Sequence, residues 1–259
     1  MSDTGHYYTP TGEPAHFVPC KTREGTRPTR IDDARKLGLF PGVTTVLQVL
    51  NKPGLNDWKV KQAVYAVVTA PTLIGETLDQ KIIRVLDVEE QQDQEARIAR
   101  DTGTQIHEAL DKAISGREWD RSLSAFVEPV LAWVLATGSV VWTEKVLVGD
   151  GYAGKADLKL HNEAMELVLL VDFKTCSNLP NKKDSWIEHK LQTAAYARAD
   201  SQNTGNSKVA TCNVYISTKS PGDYAVYTQD NWLETYGYGF KPILEYWMWA
   251  NKHYPGVKS

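Results

Sequence analysis

The stretch that most restricts the fold is "LVLLVDFKTC", Leu167 to Cys176, taken with the segments that follow it. Leu167 to Val171 is an unbroken apolar run, which reads as a central strand buried on both faces. Next comes "DSWIEHKLQTAAYARADS", a helical segment, and then "KVATCNVYIST", which is β-branched and apolar again. A strand, a helix and a strand in that order imply a parallel pair with a right-handed crossover. That unit makes the domain mixed α/β.

The remaining segments extend the sheet and cover it. "SVVWTEKVLV" alternates as a strand, "GDG" is a turn, and "YAGKADLKLH" returns as the second arm of a hairpin. "DYAVYTQ" is a short edge strand, and "NWLETYGYGFKPILEYWMWANKHY" reads as one closing helix. The order after residue 138 is therefore β-β-β-α-β-β-α. Upstream, residues 42–138 read as helices. "PGVTTVLQVL" starts one, with Thr44 or Thr45 as its cap, and a second begins near Asn56 and stops before Pro71. A third spans Thr72 to Leu86. A fourth turns Ile98, Ile106, Ala109, Leu110 and Ala113 inward and stops at Gly116. The fifth is "LSAFVEPVLAWVLATG", with Pro129 near its first turns and Gly138 at its end. Residues 1–41, rich in Pro, Gly and Thr, read as an irregular arm with one short hairpin. The expected architecture is a mixed central sheet flanked by helices, residues 139–259, with a helical part, 42–138, packed on it as one compact unit.

Composition excludes several classes. The 259 residues are 42% hydrophobic and 24% charged, ordinary for a globular protein, and no apolar run approaches a membrane span. "MSDTGHYYTP" has no basic segment followed by an apolar core, so no secretory signal is expected. Three scattered cysteines, Cys20, Cys176 and Cys212, argue against a disulfide framework and fit a reducing, cytoplasmic compartment. Without a CxxC pair, neither a structural zinc site nor a cysteine-ligated cluster is expected. The net charge of −3 gives no global support for nucleic-acid binding, so such a role would need a local basic groove.

Chemistry gathers where the apolar run ends in charge. Residues two apart on a strand share a face, so Asp172 and Lys174 point one way and Phe173 the other. An unpaired buried carboxylate is costly, and a divalent cation would reverse that penalty. Read alone, D-x-K is an ion pair or a solvated strand end. Three neighbours change the reading. Asp157, in the G-x-x-D of "GYAGKADLKL", lies on the adjacent strand, where a second carboxylate would make an oxygen-rich site for Mg²⁺ or Mn²⁺. His107, in "GTQIHEALD", could add an imidazole, with Glu108 about 100° further around the helix as the weaker candidate. Gln192 and Tyr196, one helical turn apart in "HKLQTAAYA", lie on the helix that follows the charged strand, and His189 extends their stripe. They could orient the lysine or hold a phosphate.

His107, then Asp157 in "GKAD", then Asp172 and Lys174 in "DFK", then Q-x-x-x-Y from Gln192 to Tyr196: this order resembles the PD-(D/E)XK nuclease superfamily, and more narrowly its RecB-like exonuclease branch, which includes phage-encoded and CRISPR-associated exonucleases. The upstream "GVTTVLQVLNKPGLNDWKVKQA" is similar to a helical segment common in that branch, so the likeness spans roughly Gly42 to Tyr196. The restriction-endonuclease-like core of that superfamily agrees with the mixed α/β reading. Many branch members carry a four-cysteine iron–sulfur staple. Three scattered cysteines cannot supply it, so no iron–sulfur cluster is expected.

The resemblance implies metal-dependent hydrolysis of DNA phosphodiester bonds, in recombination, repair or processing, from a phage or bacterial genome and in the bacterial cytoplasm. It implies that His107, Asp157, Asp172 and the main-chain carbonyl of Phe173 ligate one or two Mg²⁺ or Mn²⁺ ions. It gives Lys174 the task of positioning water or stabilising charge on the phosphate. Gln192 would hold Lys174 or the DNA backbone, and Tyr196 would buttress the site or stack on a nucleotide. Glu144 aligns loosely with a strand acid of the branch and is a secondary candidate, or else a hairpin surface residue. Lys155, Lys159, Lys182 and Lys183 could make the groove positive, or serve only solubility. Trp186 could stack a base or pack at the rim. The partners implied are DNA and a recombination or single-strand-annealing protein. A restriction-like or structure-specific endonuclease and a silent DNA-binding module are the alternatives, and polarity and oligomeric state stay open.

Overall fold

The computed structural model describes residues 5–20, 24–50, 53–87, 89–180, 185–204 and 208–256. The chain forms two compact units, one of Met1–Val49 with Ile106–Ser259 and one of Leu50–Gln105.

The N-terminal arm holds more regular structure than one hairpin. Strand β1 (Tyr7–Tyr8) is followed by an antiparallel hairpin of β2 (Phe17–Pro19) and β3 (Thr26–Pro28). Helix α1 (Ile31–Leu37) comes next, and then β4 (Phe40–Pro41), which pairs back with β1. Helix α1 is short and defined by its ends. Asp33 accepts from the Arg30 backbone N–H at 3.0 Å and pairs with Arg27 at 2.6 Å, and Gly38 closes the helix at a φ of 63°. The Arg27 guanidinium is also what holds the Asp33 carboxyl down at about 2.

Helix α2 (Val43–Leu47) is capped by Gly42, not by Thr44 or Thr45. The hydroxyl of Thr45 is engaged elsewhere: it accepts from His6 N at 2.9 Å and donates to His6 O at 3.1 Å, tying the arm to the helix. Helix α3 (Pro53–Thr69) begins three residues before Asn56, because proline's fixed φ and missing N–H suit the first helical position. It ends before Pro71. Helix α4 (Leu78–Asp87) follows a turn in which Arg84 binds Glu76 at 2.6 Å and Pro71 O at 2.9 Å. Helix α5 (Glu89–Ile114) crosses the boundary between the units.

After α6 (Ser124–Thr137) the sheet begins. Its strands are β5 (Ser139–Val148), β6 (Ala153–Asn162), β7 (Leu167–Cys176), β8 (Val209–Ser217) and β9 (Tyr224–Gln229), in that spatial order. Every neighbouring pair is antiparallel except β7 and β8, which are parallel and joined through α7 (Ile187–Thr204). The apolar run is the middle strand, as its two-sided hydrophobicity predicts.

Alternation along the strands sorts residues into two layers. Leu158, Leu160, Leu169, Val171, Phe173, Cys212, Val214 and Ile216 pack with Ile106 and Leu110 of α5 and with Val127, Val130 and Val134 of α6. Full burial of one such side chain stabilises the fold by about 1.5–3 kcal/mol. The opposite face carries Asp157, Lys159, Asp172, Lys174 and Tyr215, and α7 packs there against β5 to β8.

The closing segment is not one regular helix. It consists of α8 (Trp232–Glu234), a π-helical turn (Thr235–Phe240) and α9 (Lys241–Ala250). Pro242 lacks an N–H, and the Lys241 N–H reaches back five residues to Tyr236 O, so the turn widens. Gly239 is needed there because a Cβ would lie 2.4 Å from Cδ2 of Leu191 on α7. Among the described residues all three cysteines are free, and no helix is long and apolar enough to cross a membrane.

Candidate active site

The site forms where β6 and β7 stop pairing. Their register runs from Asn162↔Leu167 to Leu158↔Val171 and goes no further. Beyond that point β6 continues beside β5, and β7 continues beside β8 as far as Cys176↔Ser217. The strands fork, and Phe173 N–H loses its place in the ladder between them. A buried N–H needs an acceptor. Asp157 supplies one: its Oδ2 accepts from Phe173 N at 2.7 Å. The Phe173 ring meanwhile is buried in the opposite layer and anchors the strand.

Asp172 is 2% exposed on the α7 side of the fork. Its Oδ2 pairs with Lys174 Nζ at 2.7 Å and accepts a longer bond, 3.4 Å, from Asn213 Nδ2 on β8. Asn213 stands directly opposite Asp172 in the parallel register. His107, on α5, brings Nδ1 to 3.8 Å from Asp157 Oδ2 and sets its ring edge-on to Phe173. The fork therefore gathers two carboxylates, one ammonium and one imidazole.

Electrostatics follow from that crowding. Burial pushes the Asp157 carboxyl up, and the Asp172 charge adds to the rise, while Lys174 and the Phe173 N–H oppose it. Burial also lowers the His107 imidazole to about 4, helped by the Lys174 charge and opposed by Asp172. His107 is thus neutral at pH 7, with a ring nitrogen free of a proton and able to bind a cation.

Gln192 and Tyr196 lie behind the fork, both buried. Gln192 Nε2 donates to the Tyr196 hydroxyl at 2.9 Å. The ion-pair partner of Lys174 is Asp172, whereas the resemblance has Gln192 hold that lysine or the DNA backbone. Tyr196 sits against Gly154, where a Cβ would lie 2.6 Å from Tyr196 Cε1. The glycine of G-x-x-D and the tyrosine of Q-x-x-x-Y are thus the two halves of one close contact between β6 and α7.

One further candidate, Lys159, stands differently from expectation. Lys159 is not a groove cation. It is buried and pairs with Asp200 of α7 at 2.8 Å, because α7 covers the face on which it lies. Lys155 forms an ion pair with Glu144, so the two largely cancel each other's charge. Glu144 has a left-handed backbone (φ 51°) inside β5, and its charge adds a smaller part to the rise at Asp157. Glu108 is exposed. His189 bonds through Nδ1 with the hydroxyl of Tyr215 at 2.8 Å. Lys182 and Lys183 lie outside the described residues. Trp186 is partly exposed beside Tyr215. The residues that sequence reasoning does not reach are Asn213 and Tyr215. Asn213 had a signal, a polar side chain inside an apolar strand.

Among the described residues, no three acidic, imidazole or thiol side chains converge closely enough to form a ready metal cage. The donor chemistry nevertheless fits a hard divalent cation. The buried Asp172 and the half-buried Asp157 share the fork, and the charge of Asp172 helps push the Asp157 carboxyl up, a condition that a cation relieves.

No protein-family model and no curated protein matches the chain. Among solved structures it is similar to "Crystal structure of SSO0001", with 18% identity and a TM-score of 0.30, over 58% of this chain and 65% of that one. The chain thus spans a little under two thirds of that protein. It is also similar to a protein from Eubacterium rectale named "Putative exonuclease", with 14% identity and a TM-score of 0.40, over 61% of this chain and 69% of that one. At TM-scores this low, neither likeness assigns a family or an activity.

Proposed function

We propose that the chain is a divalent-metal-dependent deoxyribonuclease that hydrolyses phosphodiester bonds from DNA ends. The observation that carries this reading is the fork itself, which joins Asp157, Asp172 and Lys174 at one point with His107 beside them. The order of those residues along the chain, with Gln192 and Tyr196 following, supports the same reading through its resemblance to RecB-like exonucleases. Asp157, Asp172 and His107 would hold Mg²⁺ or Mn²⁺, with the Phe173 carbonyl as a further oxygen donor. Such an ion, when bound, lowers the pKa of a bound water and neutralises charge on a scissile phosphate.

The protein's own groups have separate tasks in this reading. Lys174, held by Asp172 and partly open to solvent, directs its ammonium to the phosphate or to the attacking water. Asp157 keeps the fork open by satisfying Phe173 N–H. The neutral imidazole of His107 offers a lone pair without adding positive charge against Lys174. Gln192 and Tyr196 fix α7 against β6, so the fork cannot close by sliding.

The test is digestion of linear and covalently closed DNA with Mg²⁺ or Mn²⁺, for the wild type and for Lys174→Ala. The expected result is metal-dependent loss of linear DNA, sparing of closed circles, and a rate at least 100-fold lower in the variant, the order of effect expected on removing a charge-stabilising group. Undiminished digestion by Lys174→Ala, or none by the wild type with either metal, refutes the assignment. Cleavage of closed circles points to an endonuclease on the same site.

A further inference from the structure

Beside the fork stands an aromatic assembly that the proposed chemistry leaves unused. Tyr215 occupies the β8 position directly opposite Lys174, and registered partners in a parallel pair project to the same face. The Tyr215 ring is fully buried, with Trp186 edge-on at 5.0 Å and Tyr227 edge-on at 5.7 Å. His189 lies tilted at 5.6 Å from Tyr215 and edge-on to Trp186 at 5.4 Å. These separations are those of favourable aromatic pairs.

Hydrogen bonds fix the same group. The Tyr215 hydroxyl accepts from Trp186 N at 3.2 Å and bonds His189 Nδ1 at 2.8 Å. Tyr227 donates its hydroxyl to Pro180 O at 2.9 Å. The chain is therefore pinned at Pro180 and again at Trp186. In this set Tyr215 and His189 are covered or half-covered, whereas Trp186 keeps 44% of its surface open to solvent. The Trp186 main chain is fixed by its bond to Tyr215, and the indole packs edge-on with Tyr215 and His189, so part of its freedom is lost before any ligand arrives. Less entropy then opposes stacking on its free surface.

We propose that Trp186 is a stacking shelf for an unpaired nucleobase: it packs against Tyr215, the β8 residue opposite Lys174, so that the base is held while its phosphate lies at the fork. The inference rests on reading the fork as a DNA phosphodiester site, and deepens it by naming the substrate feature bound: a base out of its duplex, at a frayed or single-stranded end. A base inside a duplex is stacked on both faces and has none to offer an isolated indole. Lys174 supplies attraction for the backbone and Trp186 supplies it for the base, a division typical of single-strand binding surfaces.

The test separates this from the nuclease reading by measuring binding without cleavage. Full-length protein in EDTA is titrated with a fluorescent single-stranded thymidine oligomer, with the same oligomer carrying abasic sites, and with one containing 2-aminopurine. The wild type should bind the base-bearing strand more tightly than the abasic one and quench 2-aminopurine. Trp186→Ala should weaken binding of the base-bearing strand by about 5- to 150-fold, the loss of one base–aromatic stack, and should no longer distinguish it from the abasic strand. Trp186→Phe should restore most of the discrimination. Binding by Trp186→Ala within twofold of the wild type, or no preference for bases in the wild type, overturns the shelf. Thermal melts check that both variants fold, and the phenylalanine variant decides the matter if the alanine variant does not. A wild type that discriminates bases but cleaves nothing with Mg²⁺ or Mn²⁺ leaves the shelf standing and removes the nuclease reading. Cleavage with no Trp186 dependence of binding does the reverse.

Discussion

Replacing Lys159 tests whether the α7 face of the sheet is built as described. The Lys159 and Asp200 side chains are 7% and 1% exposed, and their charged atoms stand 2.8 Å apart. At an effective dielectric constant of about 20, two unit charges at that distance attract by roughly 6 kcal/mol. Withdrawing each ion from water costs several kcal/mol, so the pair as a whole contributes little net stability. Removing only the lysine is another matter, since Asp200 then stays buried without the ammonium 2.8 Å from it. Lys159→Met keeps the aliphatic volume and should destabilise the fold by about 3–5 kcal/mol. With a urea dependence of about 3 kcal/mol per molar, the unfolding midpoint should fall by about 1–1.7 M. The double variant Lys159→Met with Asp200→Leu should return to within about 1 kcal/mol of the wild type, because no stranded charge remains. Urea unfolding followed by circular dichroism, over the full double-mutant cycle, measures all four corners. A single variant within 1 kcal/mol of the wild type would refute the buried pair. So would a Lys159→Met protein of unchanged stability that binds DNA less well, since that outcome returns Lys159 to the groove.

Two further substitutions probe the fork and its backing. Asp157→Asn keeps an acceptor for Phe173 N–H but removes the charge. The folded protein holds this carboxyl above its unfolded value, so wild-type stability should decline as pH rises from about 4 through the folded value. Urea midpoints from pH 4 to pH 9 should show a flatter slope in the variant, and identical slopes would sink the assignment of the raised group to Asp157. Gly154→Ala forces a methyl to within 2.6 Å of Tyr196 Cε1 and should destabilise by about 1–3 kcal/mol, read as a lower melting temperature. An unchanged melting temperature would mean that Tyr196 does not rest on β6.

The parts of the fold that can be read from the chain are those fixed by long, uninterrupted patterns. The central strand follows from five apolar residues in a row, and the crossover follows from a helix set between two apolar strands. Helix α1 is harder to see. Its seven residues carry only Ile31, Ala34 and Leu37 as an apolar pattern, too short to mark a helix, and its ends are set by Arg27 and Arg30 with Asp33 on one side and Gly38 on the other. The π-helical turn escapes a helical hydrophobic pattern, although Pro242, which lacks an N–H, stands just after it. Thr45 illustrates the same limit at a single residue. A threonine at a helix start is a good cap, but here the arm offers His6, and the hydroxyl bonds there.

The site divides along the same line. Charges that interrupt an apolar strand are conspicuous, so Asp172 and Lys174 are legible, and Asn213 in "TCNVYI" carries the same mark. Strand periodicity puts Asp157 and Lys159 on one face but does not tell which of them that face covers. The structure separates them by where α7 lies. Asp157 sits at the mouth of the fork and Lys159 sits under the helix, where Asp200, 41 residues away, neutralises it. Two residues of one strand, two positions apart and both charged, thus have opposite uses. One is a buried charge that the fold has already paired. The other is a half-buried carboxylate that accepts a backbone N–H and is repelled by the charge of Asp172. That imbalance, more than the identity of any one residue, is the physical ground for proposing a cation at the fork.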